Sequence, residues 1–563
     1  MRLQELIIPE REKDVELFYR GNLSIKPCNT LSFDTYYNAF CYTKYRKYTI
    51  VDKISFSCTF IGKATVQMCF FDGEEHVILE KDCENEASFS VDLSLLAKNG
   101  IIYPKIIAVT ECCFTSGEFF SDIIPGNISV AVAICTFRRE QYVLRNIDIL
   151  KNYNFSFIDR VFIIDNGNTL NQNTISDNFI KILPNKNYGG SGGFTRGLIE
   201  AYDGKFSHVI LMDDDVEFFP QTLEQMTVFM ALLKNEFSDS WFSAAMFPID
   251  KCWEQYEMGA EWSSASHIYH HKTKIDMRNI RELPDNLCNE NVEYGAWWTL
   301  CMPLAITNNG LPYPFFIKFD DIEYGVRNNR KSEIITMNGI AVRHEAFDLK
   351  SSFILEYYNL RNELVVKALN CHGILSIIKK YWKAVLKNIL YYRYDICKLS
   401  NRALNDFLRG VDFFLECDEE KLNNEVIKSA PKLIDLEEIS SWSELLRNDN
   451  CEPSNKLTFK SVLTLNGHLI PWFMLDKKLS AVPLSRISLS DTYRKKEVIQ
   501  YQLGTNKGIL TKRNFNSFCR FLLSAIGNTF KILFRYKRIQ RNYVNRKLEM
   551  SSFDFWRKHL GIK

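Results

Sequence analysis

The sequence predicts an α/β protein in three parts: a β-sandwich over residues 1–127, a parallel sheet covered by helices over 128–365, and a mainly helical region over 366–563 that ends in a basic tail. Three observations predict it. Short apolar–polar alternations separated by turns fill the first part. Strand-length apolar runs alternate with helical segments in the second. Apolar residues three and four apart recur in the third. A length of 563 residues fits about three or four domains. A composition of 46% hydrophobic and 25% charged residues is that of a globular chain.

Each element follows from its local pattern. Ile54 to Phe60 alternates apolar and polar residues, and Ala64 to Phe70 does so again after the Gly62-Lys63 turn. Period two with β-branched and aromatic residues is the half-buried strand signal, and Asp72-Gly73 marks the next turn. The pattern changes near Gly126. Ile128 to Thr136 is almost continuously apolar, as for a strand covered on both faces. A helical stretch runs from Arg139 to Leu150. Val161 to Ile164 then ends at Asp165-Asn166-Gly167, and His208 to Met212 ends at Asp213. In parallel sheets ligands bind outside the carboxyl ends of the strands, which is where these polar residues fall. Helical periodicity takes over near Glu356 and continues to about residue 420. Residues 430–510 carry no clear period, and no internal repeat is found.

Charge is unevenly distributed. The net charge is +2, yet Lys512 to Lys563 holds thirteen Lys/Arg against Glu549 and Asp554, which leaves residues 1–511 at −9. An acidic body argues against a nucleic-acid binder, which the tail alone would suggest. The sixteen cysteines are scattered without a Cys-x-x-Cys pair, so they read as reduced thiols of a cytoplasmic protein. The charged N-terminus lacks a signal-peptide apolar core. The most apolar stretch, Phe521 to Phe534, is broken by Ser524, Gly527, Asn528 and Lys531, so no crossing of a membrane is expected.

Five motifs could carry chemistry. Asp213-Asp214-Asp215 closes an apolar strand, where Asp213 and Asp215 point the same way and could share a divalent ion, Mg²⁺ or Mn²⁺. Alone, the triplet reads equally as a solvated acidic turn. Asn187-Tyr188-Gly189-Gly190-Ser191-Gly192-Gly193 could bring backbone N–H groups close to a phosphate at a helix start, or be a flexible turn. Asp320-Asp321 could supply a general base, or be acids in a helix's first turn. His344 could join two aspartates on a metal, or be a structural histidine. Trp297-Trp298 could stack on sugar rings, or fill core.

In their order along the chain, after Thr136-Phe137-Arg138 and Asp165, the motifs resemble family 2 glycosyltransferases of the GT-A, Rossmann-like fold, and most specifically the galactofuranosyltransferases. That family carries Thr-Phe-x-Arg, Asn-x-Gly-Gly-Ser-Gly-Gly-Phe, Asp-Asp-Asp, Trp-Trp and Lys-x-Asp-Asp-x-x-Tyr-Gly. The last stands here as Lys318-Phe319-Asp320-Asp321-Ile322-Glu323-Tyr324-Gly325. The resemblance is strong over 128–365, architectural over the N-terminal region, and general beyond. It implies Asp213, Asp215 and His344 on Mn²⁺ or Mg²⁺. It implies Thr136, Arg138, Asp165, Asn187, Gly189 and Asp214 around the UDP-sugar, with Asp165 at the uracil edge. Asp321 would be the base, and Trp297, Trp298, Asp320 and Glu261 would line the acceptor site. The implied reaction is inverting transfer of galactofuranose from UDP-galactofuranose to a glycan or glycolipid acceptor. Alternatives are another UDP-hexose, or a glycan-binding protein with an inactive transferase domain. A homo-oligomer is left open. The basic tail, with aromatics interleaved, is expected to hold the chain peripherally on the anionic inner face of the cytoplasmic membrane.

Overall fold

The computed structural model describes residues 1–9, 14–96, 99–262, 268–288, 291–329, 332–345, 352–438 and 459–562. The chain forms two compact units. The first comprises Met1–Ser263, His267–Pro312 and Asp321–Glu345; the second comprises Ser264–Ser266, Tyr313–Asp320 and Ala346–Lys563.

The N-terminal part of the first unit is strand-rich, as expected. Its seven strands are β1 (Arg2–Glu5), β2 (Ser24–Ile25), β3 (Thr30–Ser32), β4 (Lys53–Phe71), β5 (Glu75–Asp92), β6 (Ile101–Ala108) and β7 (Cys112–Phe120). They join in one hydrogen-bonded antiparallel network. β5 pairs along the length of β4, while the other edge of β4 is shared. Ser55 to Ile61 pairs with β7, and Ala64 to Phe71 with β6. The handover sits at Gly62, whose positive φ of 112° suits only glycine without strain. A Cβ there would also lie 2.4 Å from the Glu111 carbonyl oxygen.

The second sheet of this unit holds the candidate site. β8 (Val130–Thr136), β9 (Ile158–Asp165), β10 (Ile180–Pro184) and β11 (His208–Asp213) are parallel, in spatial order β10-β9-β8-β11. The order reverses between β8 and β11, and that reversal creates a crevice at their carboxyl ends. Beyond β11 come three further strands: β14 (Thr299–Pro303), then β12 (Trp241–Ser243), then β15 (Ile334–Ile335), with β14 antiparallel to both its neighbours. A separate parallel pair joins β13 (Ala245–Pro248) to β16 (Ala341–His344). Val130 to Ile134 is fully buried, which explains the unbroken apolar run. Helices α1 (Glu140–Lys151) and α2 (Gly189–Asp203) connect the parallel strands.

The second unit is mainly helical. It contains α4 (Leu355–Leu369), α5 (Ile374–Leu390), α6 (Tyr394–Phe407) and the 32-residue α7 (Phe515–Arg546), while α3 (Asp320–Asn328) begins at its border with the first unit. The stretch without a clear sequence period contains a four-stranded sheet: Ala481–Pro483, Glu497–Tyr501, Lys507–Lys512 and Ile434–Asp435. Residues 439–458 of that stretch lie outside the described residues. Among the described residues no helix is long and apolar enough to cross a membrane.

Candidate active site

β11 delivers the acidic triplet to the crevice. Asp213 is its last residue, in register with Cys135 of β8, and its N–H donates to the Trp298 carbonyl at 3.2 Å. β16 brings the histidine. His344 pairs with Pro248, and Arg343 exchanges backbone hydrogen bonds with Glu217, just beyond the triplet. One ligand atom each from Asp213, Asp215 and His344 then falls within 4.8 Å of the others. His344 Nε2 lies 3.3 Å from Asp215 Oδ1, and its Nδ1 is 2.7 Å from the Glu345 carbonyl, to which it donates. That bond fixes the tautomer and turns Nε2 toward the carboxylates, as in histidines that bind metals.

The electrostatics of this cluster are strained. Burial, followed by the charge of Asp215, pushes the Asp213 carboxyl up to about 7. Burial also raises that of Asp214. Two carboxylates and an imidazole at this spacing form a donor set suited to Mn²⁺ or Mg²⁺, and a cation would relieve the crowding. Arg139 relieves part of it: one guanidinium nitrogen lies 3.1 Å from Asp214 Oδ1 and 2.7 Å from Asp215 Oδ2. Arg139 was missed by the sequence reading, although it fills the fourth place of the Thr-Phe-x-Arg segment. Arg138 is exposed, with φ of 55° and its guanidinium 5.2 Å from the Phe137 ring.

The glycine-rich segment is not a loop. Gly189 to Gly193 form the first turn of α2. A Cβ on Gly193 would lie 2.1 Å from Cys135 Sγ, and one on Gly197 would lie 2.4 Å from the Ala133 Cβ. These glycines let α2 press onto β8. Asn187 Oδ1 accepts from the Gly189 N–H at 3.1 Å, and Asn166 Nδ2 donates to the Gly189 carbonyl at 3.0 Å. Thr136 is buried at the end of β8. Asp165, 1% exposed, accepts from the N–H groups of Gly167, Thr169 and Leu170 at 3.0, 2.7 and 2.8 Å. Its carboxylate therefore shapes the turn beyond β9.

A second group gathers around Asp321. Burial, then the charges of Glu257 and Asp321, raise the Tyr294 phenol. Glu257 is 2% exposed and pairs with His270 Nδ1, while its Oε1 has no hydrogen-bond partner among the described residues. Hydrogen bonding to Glu257 and the charges of Glu257 and Asp321 raise His270 against the opposing effect of burial. Neither Glu257 nor His270 stood out in sequence; Glu261 did, and it lies half-buried opposite Tyr269. Trp297 and Trp298 are 4% and 5% exposed. Trp298 Nε1 donates to the Ala244 carbonyl at 3.0 Å, and Trp297 meets Phe194 and Tyr324 edge-on. They pack beneath the site rather than presenting a broad ring face. Gly325 lets α3 approach Tyr294, since a Cβ there would lie 2.3 Å from the Tyr294 Cβ.

The chain entering Asp320 is strained within the second unit. Phe316, Lys318 and Phe319 have φ of 67°, 68° and 69°. Such conformations cost about 1–3 kcal/mol each and persist where surroundings over-determine them. Here the buried Asn362 amide donates to the carbonyls of Phe315, Ile317 and Lys318 at 3.2, 3.1 and 2.8 Å. Arg361 adds a bond to the Phe315 carbonyl at 3.0 Å and is caged by four aromatic rings.

The chain is similar to several known proteins. Residues 131–278 match the glycosyl transferase family 2 domain, and residues 3–122 match the galactofuranosyltransferase 2 N-terminal domain. The galactofuranosyltransferase GlfT2 of Mycolicibacterium smegmatis is 28% identical over 430 residues, covering 69% of this chain and 66% of the relative. Its Mycobacterium tuberculosis counterpart is 26% identical over 465 residues, covering 74% and 71%. The chain thus spans about two thirds of the length of these relatives. An uncharacterized glycosyltransferase of Haemophilus influenzae is 24% identical over 335 residues, covering 54% of this chain and 98% of that one. Among solved structures, a mannosyltransferase from Pyrobaculum calidifontis aligns at 12% identity with a TM-score of 0.31, covering 55% of this chain and 87% of that one. By domain content the chain combines a region matching the family 2 glycosyltransferase domain with one matching the galactofuranosyltransferase 2 N-terminal domain set before it, and is similar over both to the mycobacterial galactofuranosyltransferases.

Proposed function

We propose that this chain is an inverting, metal-dependent enzyme that moves galactofuranose from UDP-galactofuranose to a hydroxyl of a lipid-linked bacterial cell-surface glycan. The observation that carries the reading is the convergence of Asp213, Asp215 and His344 at the crevice where the strand order reverses. The two mycobacterial relatives favour the furanose donor over other UDP-hexoses.

Asp213, Asp215 and His344 would hold Mn²⁺ or Mg²⁺, which supplies neutralisation of the charge that develops on a leaving diphosphate. Thr136, Arg138, Asp165, Asn187, Gly189 and Asp214 form the nucleotide side. Asp165 acts there through the turn it holds, and Arg139 steadies the acids. Asp321 takes the proton from the acceptor hydroxyl as its oxygen forms the new glycosidic bond. The bond to UDP breaks on the opposite face, so one displacement inverts the anomeric carbon without a protein nucleophile. Asp320, Glu261, Trp297 and Trp298 shape the acceptor side. The basic C-terminal segment holds the enzyme at the anionic inner face of the cytoplasmic membrane, where lipid-linked acceptors are presented.

The test is UDP release from UDP-galactofuranose, UDP-galactopyranose and UDP-glucose, with Mn²⁺ and a galactoside acceptor, against an Asp321→Asn control. Turnover with the furanose donor alone, lost in the control, is expected. Turnover with only another donor would keep the transferase and remove the galactofuranose assignment.

A further inference from the structure

The second unit carries an exposed apolar surface that catalysis does not use. Residues Trp472–Met474 form one 3₁₀ turn in which Trp472, Phe473 and Met474 are 77%, 67% and 51% exposed. Leu469, just before them, is also exposed. Consecutive large side chains left in water mark an interaction surface rather than scattered surface residues.

This turn is firmly mounted. Arg513 donates to the carbonyls of His468 and Ile470, and Arg494 donates to that of Met474. Asn466 is buried and bonded to Thr492 at 2.7 Å. The His468 ring stacks on Phe518 of α7 at 4.6 Å, and Phe518 stacks in turn on Phe515. The turn therefore adjoins the start of α7.

α7 carries a second exposed apolar surface. Phe518, Phe521, Ala525, Ile532, Tyr536 and Ile539 are among its buried residues and form one face. On the opposite side Leu523, Ile526, Phe530, Leu533 and Phe534 recur three and four residues apart and are 68%, 42%, 55%, 47% and 84% exposed. Seven Lys/Arg and no acid lie on α7. Arg520, Lys531 and Arg538 flank the apolar stripe, and all three are exposed. A helix with apolar residues outward and cations at their borders fits an anionic bilayer surface, with the helix lying in its plane. It cannot span one, because no described helix is apolar enough.

We infer that the Trp472–Met474 turn is a wedge that enters an anionic lipid surface, so that attachment depends on the turn as well as on the apolar stripe and cations of α7. This deepens the membrane part of the proposed function and rests on it.

The experiment is co-sedimentation of the full chain with vesicles of phosphatidylcholine, with and without phosphatidylglycerol. Wild type is expected to bind only where phosphatidylglycerol is present, and more weakly as salt rises. Trp472→Ser with Phe473→Ser should lower vesicle affinity by about tenfold or more. Phe534→Ser should lower it less. Lys531→Glu with Arg538→Glu should lower it and weaken the salt dependence. Circular dichroism and the thermal midpoint should stay unchanged in each variant. Undiminished binding of the Trp472/Phe473 variant, or no binding by wild type, would overturn the inference. So would a change of sedimentation coefficient in that variant without a change in lipid binding, since the surface would then join copies of the chain. The transferase reading is decided separately, by UDP release in the absence of vesicles.

Discussion

The carboxyl ends of β8 and β11 and the outer face of α7 break the usual sorting of side chains in opposite directions. The first crowds Asp213, Asp214 and Asp215 with His344, largely out of water. The second leaves Leu523, Phe530 and Phe534 in water among cations. The acidic crevice lowers the stability of the folded chain, because like charges are held close in a poorly solvated place. The apolar stripe has little effect on folding, because its side chains are exposed in both the folded and unfolded states. A site that does chemistry is thereby separable from a surface that docks. Substitutions in the first should trade stability against function, and substitutions in the second should change binding alone.

The largest effect is expected at Asp321. Asp321→Asn should lower kcat by about 10²–10⁴-fold with little change in donor KM, as measured by UDP release. An equal loss in a variant of the α7 stripe, assayed without lipid, would erase the contrast.

Next comes Asp213. Its folded-state carboxyl titrates near 7 against 3.8 in the unfolded chain, so the folded state holds the extra proton between these values. Stability of the metal-free protein should therefore fall as pH rises from about 4 to about 7. Asp213→Asn should flatten that slope and raise the metal-free thermal midpoint at neutral pH. The gain is roughly 2–4 °C for each 1 kcal/mol of strain removed. The same variant should lose stabilisation by added Mn²⁺. Scanning calorimetry across pH, with and without metal, checks both.

Gly193→Ala should be smaller and purely structural in origin. Its Cβ would meet Cys135 Sγ, so α2 must shift from β8 at a cost of about 1–3 kcal/mol, measured by urea unfolding. The smallest effect should be that of Phe534→Ser, within about 0.5 kcal/mol of wild type in the same assay.

The sequence made the central sheet legible because Val130–Ile134 and Val209–Met212 are buried on both faces and thus continuously apolar. The acids were legible because they sit where such strands end. The glycine run was misread in one respect. Its composition signals closeness of backbone to something, and the close neighbours of Gly193 and Gly197 are Cys135 and Ala133 of β8. Glu257 and His270 could not be found by spacing, since antiparallel pairing and the packing of α3 on Tyr294 bring them near Asp321. The Trp472 turn was hidden for a different reason. It lies in the stretch without a clear sequence period, and only the fold shows that Trp472, Phe473 and Met474 are exposed.

The most direct test of the account is calorimetric titration of Mn²⁺ into wild type and His344→Ala, at about pH 8 and about pH 6. Wild type should bind at a single site, more weakly at the lower pH and with release of a proton, because Asp213 must ionise near 7 for metal to bind. The variant should bind at least about tenfold more weakly. Equal affinity in the two proteins would contradict a metal centre built from Asp213, Asp215 and His344.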